Sequence, residues 1–124
     1  MKRQTILVID DNLSILEELT DILRYEGFTV YGANNGLSGL AQAEKIRPDL
    51  ILSDIFMPDI SGFEVVSRLK NNDELKNIPI ILVSASVLED SVQKGFDAGA
   101  VDFLKKPFET EVLLEKIKNV LEDN

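Results

Sequence analysis

The sequence predicts an α/β domain built on a parallel sheet with helices on both faces. Five short apolar segments alternate with five stretches of helical apolar spacing along all 124 residues. No Gly-, Ser- or Pro-rich linker, repeat or low-complexity tract breaks the alternation. Strict β-α alternation calls for parallel strands joined by right-handed crossovers, and the length fits one domain over 1–124 with a substantial core.

The first segment, "TILVID" (5–10), is a nearly continuous apolar run, as expected of a strand covered on both faces. "NLSILEELTDILRYEG" (12–27) places Leu13, Leu16, Leu19, Ile22 and Leu23 at helical spacing, with Gly27 as its stop. "FTVYGA" (28–33) is β-branched and aromatic, and "GLSGLAQAEKI" (36–46) is a weaker amphipathic helix. "PDLILSD" (48–54) is the third strand and "GFEVVSRLKNN" (62–72) the third helix. "IPIILVSA" (78–85) is the fourth strand, with Pro79 at its start, where a missing N–H is tolerated. "LEDSVQKGFDAG" (88–99), "VDFLKK" (101–106) and "ETEVLLEKIKNVLE" (109–122) complete the series as helix, strand and helix.

Composition narrows the chemistry. With no cysteine, thiolate chemistry and disulfides are excluded, which suits a reducing, cytoplasmic setting. With no histidine, the commonest general base and zinc ligand are missing. Acids outnumber bases 22 to 13, and the net charge of −9 argues against direct contact with a nucleic-acid backbone. No apolar run approaches the ~20 residues needed to span a bilayer, and the start "MKRQTILVID" does not read as a signal peptide.

Ligands of an open parallel sheet bind beyond the carboxyl ends of the strands, where strand order reverses. Strand one ends in Asp10-Asp11, strand three in Asp54, strand four in Ser84 and strand five in Lys105-Lys106-Pro107. In a 2-1-3-4-5 order, strands one and three are neighbours and three carboxylates converge. Such a cluster repels itself unless a cation compensates, and a hard divalent ion such as Mg²⁺ takes carboxylates, waters and a phosphate oxygen. Lys106 adds a charge suited to phosphate and Ser84 a hydroxyl donor, so a carboxylate here is equipped to attack phosphorus.

Each residue taken singly also has a plainer role. Asp10, Asp11 and Asn12 directly precede a helix and could cap it. Asp54 could close a turn before Pro58, and Ser84 could be a strand-end turn hydroxyl. Lys106 could be a solvated surface charge and Phe103 a core aromatic. The joint placement on one sheet edge is what favours a site.

Together these segments resemble the receiver domain of two-component response regulators, of the doubly wound, flavodoxin/CheY-like class with order 2-1-3-4-5. The resemblance runs through "ILVIDDN" (6–12), "DLILSDIFMPDISGFEV" (49–65), "IPIILVSA" (78–85) and "DAGAVDFLKKPF" (97–108). It implies that Asp54 is the phosphoacceptor and that Mg²⁺ (or Mn²⁺) is held by Asp11 directly, by Asp10 mainly through water, by Asp54 and by the backbone carbonyl of Phe56. It implies that Ser84 is the switch hydroxyl, Lys106 the phosphate-binding lysine before a cis Lys-Pro bond, and Phe103 the switch aromatic. Phosphorylation would then act through Ser84 on the surface of helix four, strand five and helix five. Phe103 stands where Tyr is frequent and Ser84 where Thr is common; Phe56 and Ser86 fall at positions that tune phosphoryl lifetime.

The resemblance also implies a histidine kinase or histidine phosphotransfer protein as donor and a protein as downstream target. No direct nucleic-acid or membrane contact is expected, from the net charge of −9 and the lack of a long apolar run, and the chain is expected as either a monomer or a phosphorylation-linked dimer. Such a domain is not an enzyme, since it assists only its own phosphotransfer and autodephosphorylation. No output domain is read within the 124 residues. Three other readings compete. An aspartyl phosphohydrolase would need a second carboxylate as general acid, which Asp59 and Ser61 mimic weakly. A pseudo-receiver would lack the acceptor, acidic pair or lysine, and all are present. A flavin site would want a Ser/Thr/Gly-rich loop after strand one, where "DDNLS" is acidic.

Overall fold

The computed structural model describes residues 3–85 and 89–122. Among these the order is β1 (Thr5–Ile9), α1 (Leu13–Tyr25), β2 (Thr29–Ala33), α2 (Gly36–Ile46), β3 (Leu50–Asp54), α3 (Gly62–Lys70), β4 (Ile80–Ser84), α4 (Glu89–Ala98), β5 (Asp102–Lys105) and α5 (Thr110–Glu122). The five strands form one parallel sheet in the order β2-β1-β3-β4-β5. The expected topology therefore holds. Among the described residues no helix is long and apolar enough to cross a membrane.

The continuous apolar strands are explained by burial on both faces. Leu7, Ile9, Ile51, Ile80 and Leu82 point to one side, where Ala43, Val65, Val66 and Leu69 of α2 and α3 cover them. Ile6, Val8, Leu50, Leu52, Ile81 and Val83 point to the other, against Leu19 and Leu23 of α1 and Leu113 and Ile117 of α5. Alternation along each strand thus feeds two separate cores. Burying each such side chain contributes about 1.5–3 kcal/mol against the entropy of ordering the chain.

Helix ends follow local chemistry. Asn12, Asn35 and Ser61 cap α1, α2 and α3, each side chain accepting the N–H three residues on. Gly27, with φ +99 and open space where a Cβ would stand, ends α1 as the sequence predicts. Arg47 ends α2 in the left-handed region at φ 51, because Pro48 disfavours a further helical residue before it. Most elements are one or two residues shorter than their apolar patterns. Pro79 lies just outside β4, yet its carbonyl still accepts Ile51 N at 3.0 Å. Residue 88, the expected start of helix four, is outside the described residues.

Candidate phosphoryl-acceptor site

Parallel register brings the acids together. Ile9 pairs with Ser53, so Asp10 and Asp54 follow side by side at the carboxyl rim of adjacent strands. Asp10 is 1% exposed and Asp54 9%, whereas Asp11 is exposed. One carboxylate oxygen from each of Asp10, Asp11 and Asp54 lies within 4.8 Å of the other two.

The capping question is answered by division of labour. Asn12 caps α1, with its Oδ1 accepting Ile15 N at 3.1 Å. Asp10 instead accepts Asn12 N on Oδ1 at 2.9 Å and Lys106 Nζ on Oδ2 at 2.7 Å. The helix needs neither acid as its N-cap, so both are left for the rim.

Lys106 reaches the cluster from the end of β5, its amide donating to the Ser84 carbonyl at 2.9 Å. Its ammonium is 3.5 Å from Asp54 Oδ1, and only 12% of the side chain is exposed. The following bond, Lys106–Pro107, is cis, as the resemblance implied.

Asp54 is the electrostatic focus. Burial is the main force that pushes its carboxyl up to about 6, and the charge of Asp10 adds to it. Lys106 and the Ile55 N–H, donating to Oδ1 at 2.9 Å, pull the other way, while a side-chain hydrogen bond with Asp11 raises it further. Such an upward shift of a carboxyl buried at the sheet rim is a mark of functional sites.

Backbone packing fixes the end of β3 at Asp54. A Cβ on Gly62 would lie 2.3 Å from the Asp54 carbonyl oxygen, and the Gly62 N–H donates to the Ile55 carbonyl at 2.6 Å. Only glycine allows α3 to begin so close to the end of β3. Ser53 Oγ also donates to the Asp54 carbonyl, at 2.9 Å.

The remaining predicted residues fall around this cluster. Ser84 is 2% exposed, one position beyond Val83, the register partner of Asp54. Phe103, opposite Leu82, is half-buried against the core under α2 and α3. Phe56 lies in the loop after Asp54 and is 58% exposed. Ser86 is outside the described residues. Asp59, considered for a general acid, is committed elsewhere: Oδ1 accepts Gly36 N at 3.0 Å and Oδ2 accepts Leu37 N at 2.7 Å. Burial tends to raise its carboxyl, but the N–H groups of Leu37, Gly36 and Ile60 hold it below the usual carboxylate value. Ser61 is likewise occupied, as the cap of α3. The phosphohydrolase reading loses both of its candidate groups.

Sequence reasoning missed the role of Asp59 and the 2.7 Å Lys106–Asp10 contact, which joins residues 96 apart in the chain. For Asp59 the available signal was an acid after Pro58, which reads as a turn; nothing local identifies a partner more than twenty residues upstream.

A receiver-type α/β domain is the class that this topology and site define. Residues 6–118 match the family model described as response regulator receiver domain. Among relatives, the polar-differentiation response regulator DivK of Brucella anthropi is 33% identical over 120 residues, covering 97% of this chain and 98% of its own. The DNA-binding dual master transcriptional regulator RpaA of Synechocystis is 37% identical over 117 residues, 94% of this chain and 48% of that one. The chain spans about half the length of several curated relatives it matches, RpaA among them. Among solved structures, Vibrio cholerae chemotaxis protein CheY4 superposes with a TM-score of 0.93 at 34% identity, covering 97% of this chain and all of that one. A putative response regulator from Chloroflexus aurantiacus gives 0.93 at 35% identity, covering 98% and 99%. The chain belongs to the response regulator receiver domain family.

Proposed function

We propose that residues 1–124 act as one receiver domain that takes a phosphoryl group from a phosphohistidine onto Asp54. The observation that carries this is the meeting of Asp10, Asp11 and Asp54 within 4.8 Å, with Lys106 against two of them. Three carboxylates facing one ammonium leave an excess of negative charge suited to a hard divalent cation. Asp10, Asp11 and Asp54, with the Phe56 carbonyl, would hold Mg²⁺ or Mn²⁺, and a bound ion would supply positive charge against the phosphoryl oxygens.

The chain's own groups then have distinct tasks. An ionised Asp54 oxygen attacks phosphorus while the phosphorus–nitrogen bond to the donor imidazole breaks. The ammonium of Lys106 pairs with a phosphoryl oxygen, and the Ser84 hydroxyl donates to another. Because these 124 residues hold no histidine, the phosphohistidine lies outside them, on a histidine kinase or histidine phosphotransfer protein.

Movement of Ser84 toward the new charge would shift Phe103 and the α4–β5–α5 face, altering affinity for a protein partner. Only a few kcal/mol of differential stabilisation is needed for such a population shift. The same domain would assist hydrolysis of its aspartyl phosphate, turning over no outside substrate. A cytoplasmic location and a target other than nucleic acid fit this reading, as does a monomer or a phosphorylation-linked dimer.

Incubation with acetyl phosphate and Mg²⁺, followed by intact mass measurement, tests the proposal. One phosphoryl group is expected on the native chain and none on Asp54→Asn. Equal labelling of the mutant, or labelling that ignores Mg²⁺, would contradict it.

A further inference from the structure

The segment between β3 and α3, residues 55–61, carries Phe56 and is tied at both ends. At one end Gly62 packs on the Asp54 carbonyl. At the other, Asp59 grips the first two amides of α2, Gly36 N at 3.0 Å and Leu37 N at 2.7 Å. Asn35 supplies the next bond of the cap, accepting Ser38 N at 2.8 Å. The start of α2 is therefore capped by two side chains, one of them borrowed from the acceptor loop.

The contact is also steric. A Cβ on Gly36 would stand 2.4 Å from Ile60 Cγ1, so the bare glycine lets Ile60 seat against the helix. Three residues on, a Cβ on Gly39 would stand 2.4 Å from Ile9 Cδ1. Ile9 directly precedes Asp10. A closed circuit results: Asp54 and its loop, Asp59, the first turn of α2, Ile9, and the acidic pair of β1.

We propose that Asp59 is a positioning residue that sets the acceptor loop, and with it the Phe56 carbonyl, against the acidic pair. This rests on the reading of Asp10, Asp11, Asp54 and Phe56 as the cation site. Asp59 touches none of the reacting groups; it acts through α2 and the loop. Losing the clamp should weaken metal affinity in the way that outer-shell partners of metal ligands do, by about tenfold.

The test compares Mg²⁺ affinity, read from thermal shift on titration, in the native chain, Asp59→Ala, Asp59→Asn and Asn35→Ala. Asn35→Ala removes the other half of the same cap while leaving the loop clamp. The expected result is roughly tenfold weaker Mg²⁺ binding in Asp59→Ala, an intermediate loss in Asp59→Asn, which keeps one acceptor oxygen, and native affinity in Asn35→Ala despite a lower Tm. Should Asp59→Ala not fold, Asp59→Asn against Asn35→Ala carries the comparison. Native affinity in both Asp59 variants, or an equal loss in Asn35→Ala, overturns the inference. Acetyl phosphate labelling of the native chain at Asp54 separates the two claims: labelling with unchanged affinity in the Asp59 variants sinks only the clamp, whereas no labelling sinks the acceptor reading with it.

Discussion

Lys106 lies closer to Asp10 than to Asp54: its ammonium is 2.7 Å from Asp10 Oδ2 and 3.5 Å from Asp54 Oδ1. The lysine that the phosphoryl group is expected to engage is thus also the counter-charge of a carboxylate that is 1% exposed.

Lys106→Ala should therefore affect stability as well as phosphorylation. Removing one partner leaves the buried Asp10 carboxylate without its ammonium, and a loss of about 3 kcal/mol is expected at neutral pH. Urea unfolding with a chelator present measures it. Labelling by acetyl phosphate should slow at least tenfold, as expected for loss of a charge-assisted contact of about 1.5–3 kcal/mol.

Asp54→Asn should stabilise the fold at neutral pH. The folded carboxyl sits at about 6 against 3.8 for the free group, so the folded state binds more protons between these values. The native chain consequently loses stability as pH rises from about 4 to 6, and the loss is complete above that window. In Asp54→Asn this penalty is absent. A gain on the order of 2–3 kcal/mol is expected at pH 7 and almost none at pH 4, measured by denaturant unfolding without divalent ions. A mutant less stable than the native chain at pH 7 would contradict the electrostatic account.

Mg²⁺ affinity should fall as pH drops through about 6, because protons then compete for Asp54. Titrations at pH 5, 6 and 7.5 check this; affinity independent of pH across that span would remove Asp54 from the ligand set.

Gly62→Ala tests the backbone contact. A methyl 2.3 Å from the Asp54 carbonyl oxygen forces β3 and α3 apart. A loss of about 2–3 kcal/mol is expected, together with slower labelling, since the acceptor must shift. Full stability would mean that the loop relaxes without strain.

Phe56 follows Asp54 by two residues and is 58% exposed, and its ring is expected to hinder the approach of water to an aspartyl phosphate. Phe56→Asn is expected to shorten the phosphoryl half-life, followed by loss of label after removal of the donor. An unchanged or longer half-life refutes the shielding role.

The fold was legible because both signals are local. Apolar runs such as Ile6–Ile9 and Leu50–Leu52 mark doubly covered strands, and the spacing of Leu16, Leu19 and Leu23 marks a helix face. The site was legible as residues at strand ends, since parallel strands deliver their carboxyl termini to one rim. Pairings across long separations were not. Asp59 carries no mark of its bond to Gly36, and Lys106 none of its preference for Asp10. The glycines at 36, 39 and 62 answer to side chains or backbone that only the tertiary structure brings near.

The central claim is that Asp54 is the residue phosphorylated. Its acyl phosphate can be trapped by borohydride reduction, which converts the modified aspartate to the corresponding alcohol, and located by peptide mass mapping. After treatment with acetyl phosphate and Mg²⁺, reduction is predicted in the peptide holding Asp54 and at that residue. Reduction at Asp10, Asp11 or Asp59 instead, or none at all while the chain is folded and Mg²⁺ is bound, would contradict it.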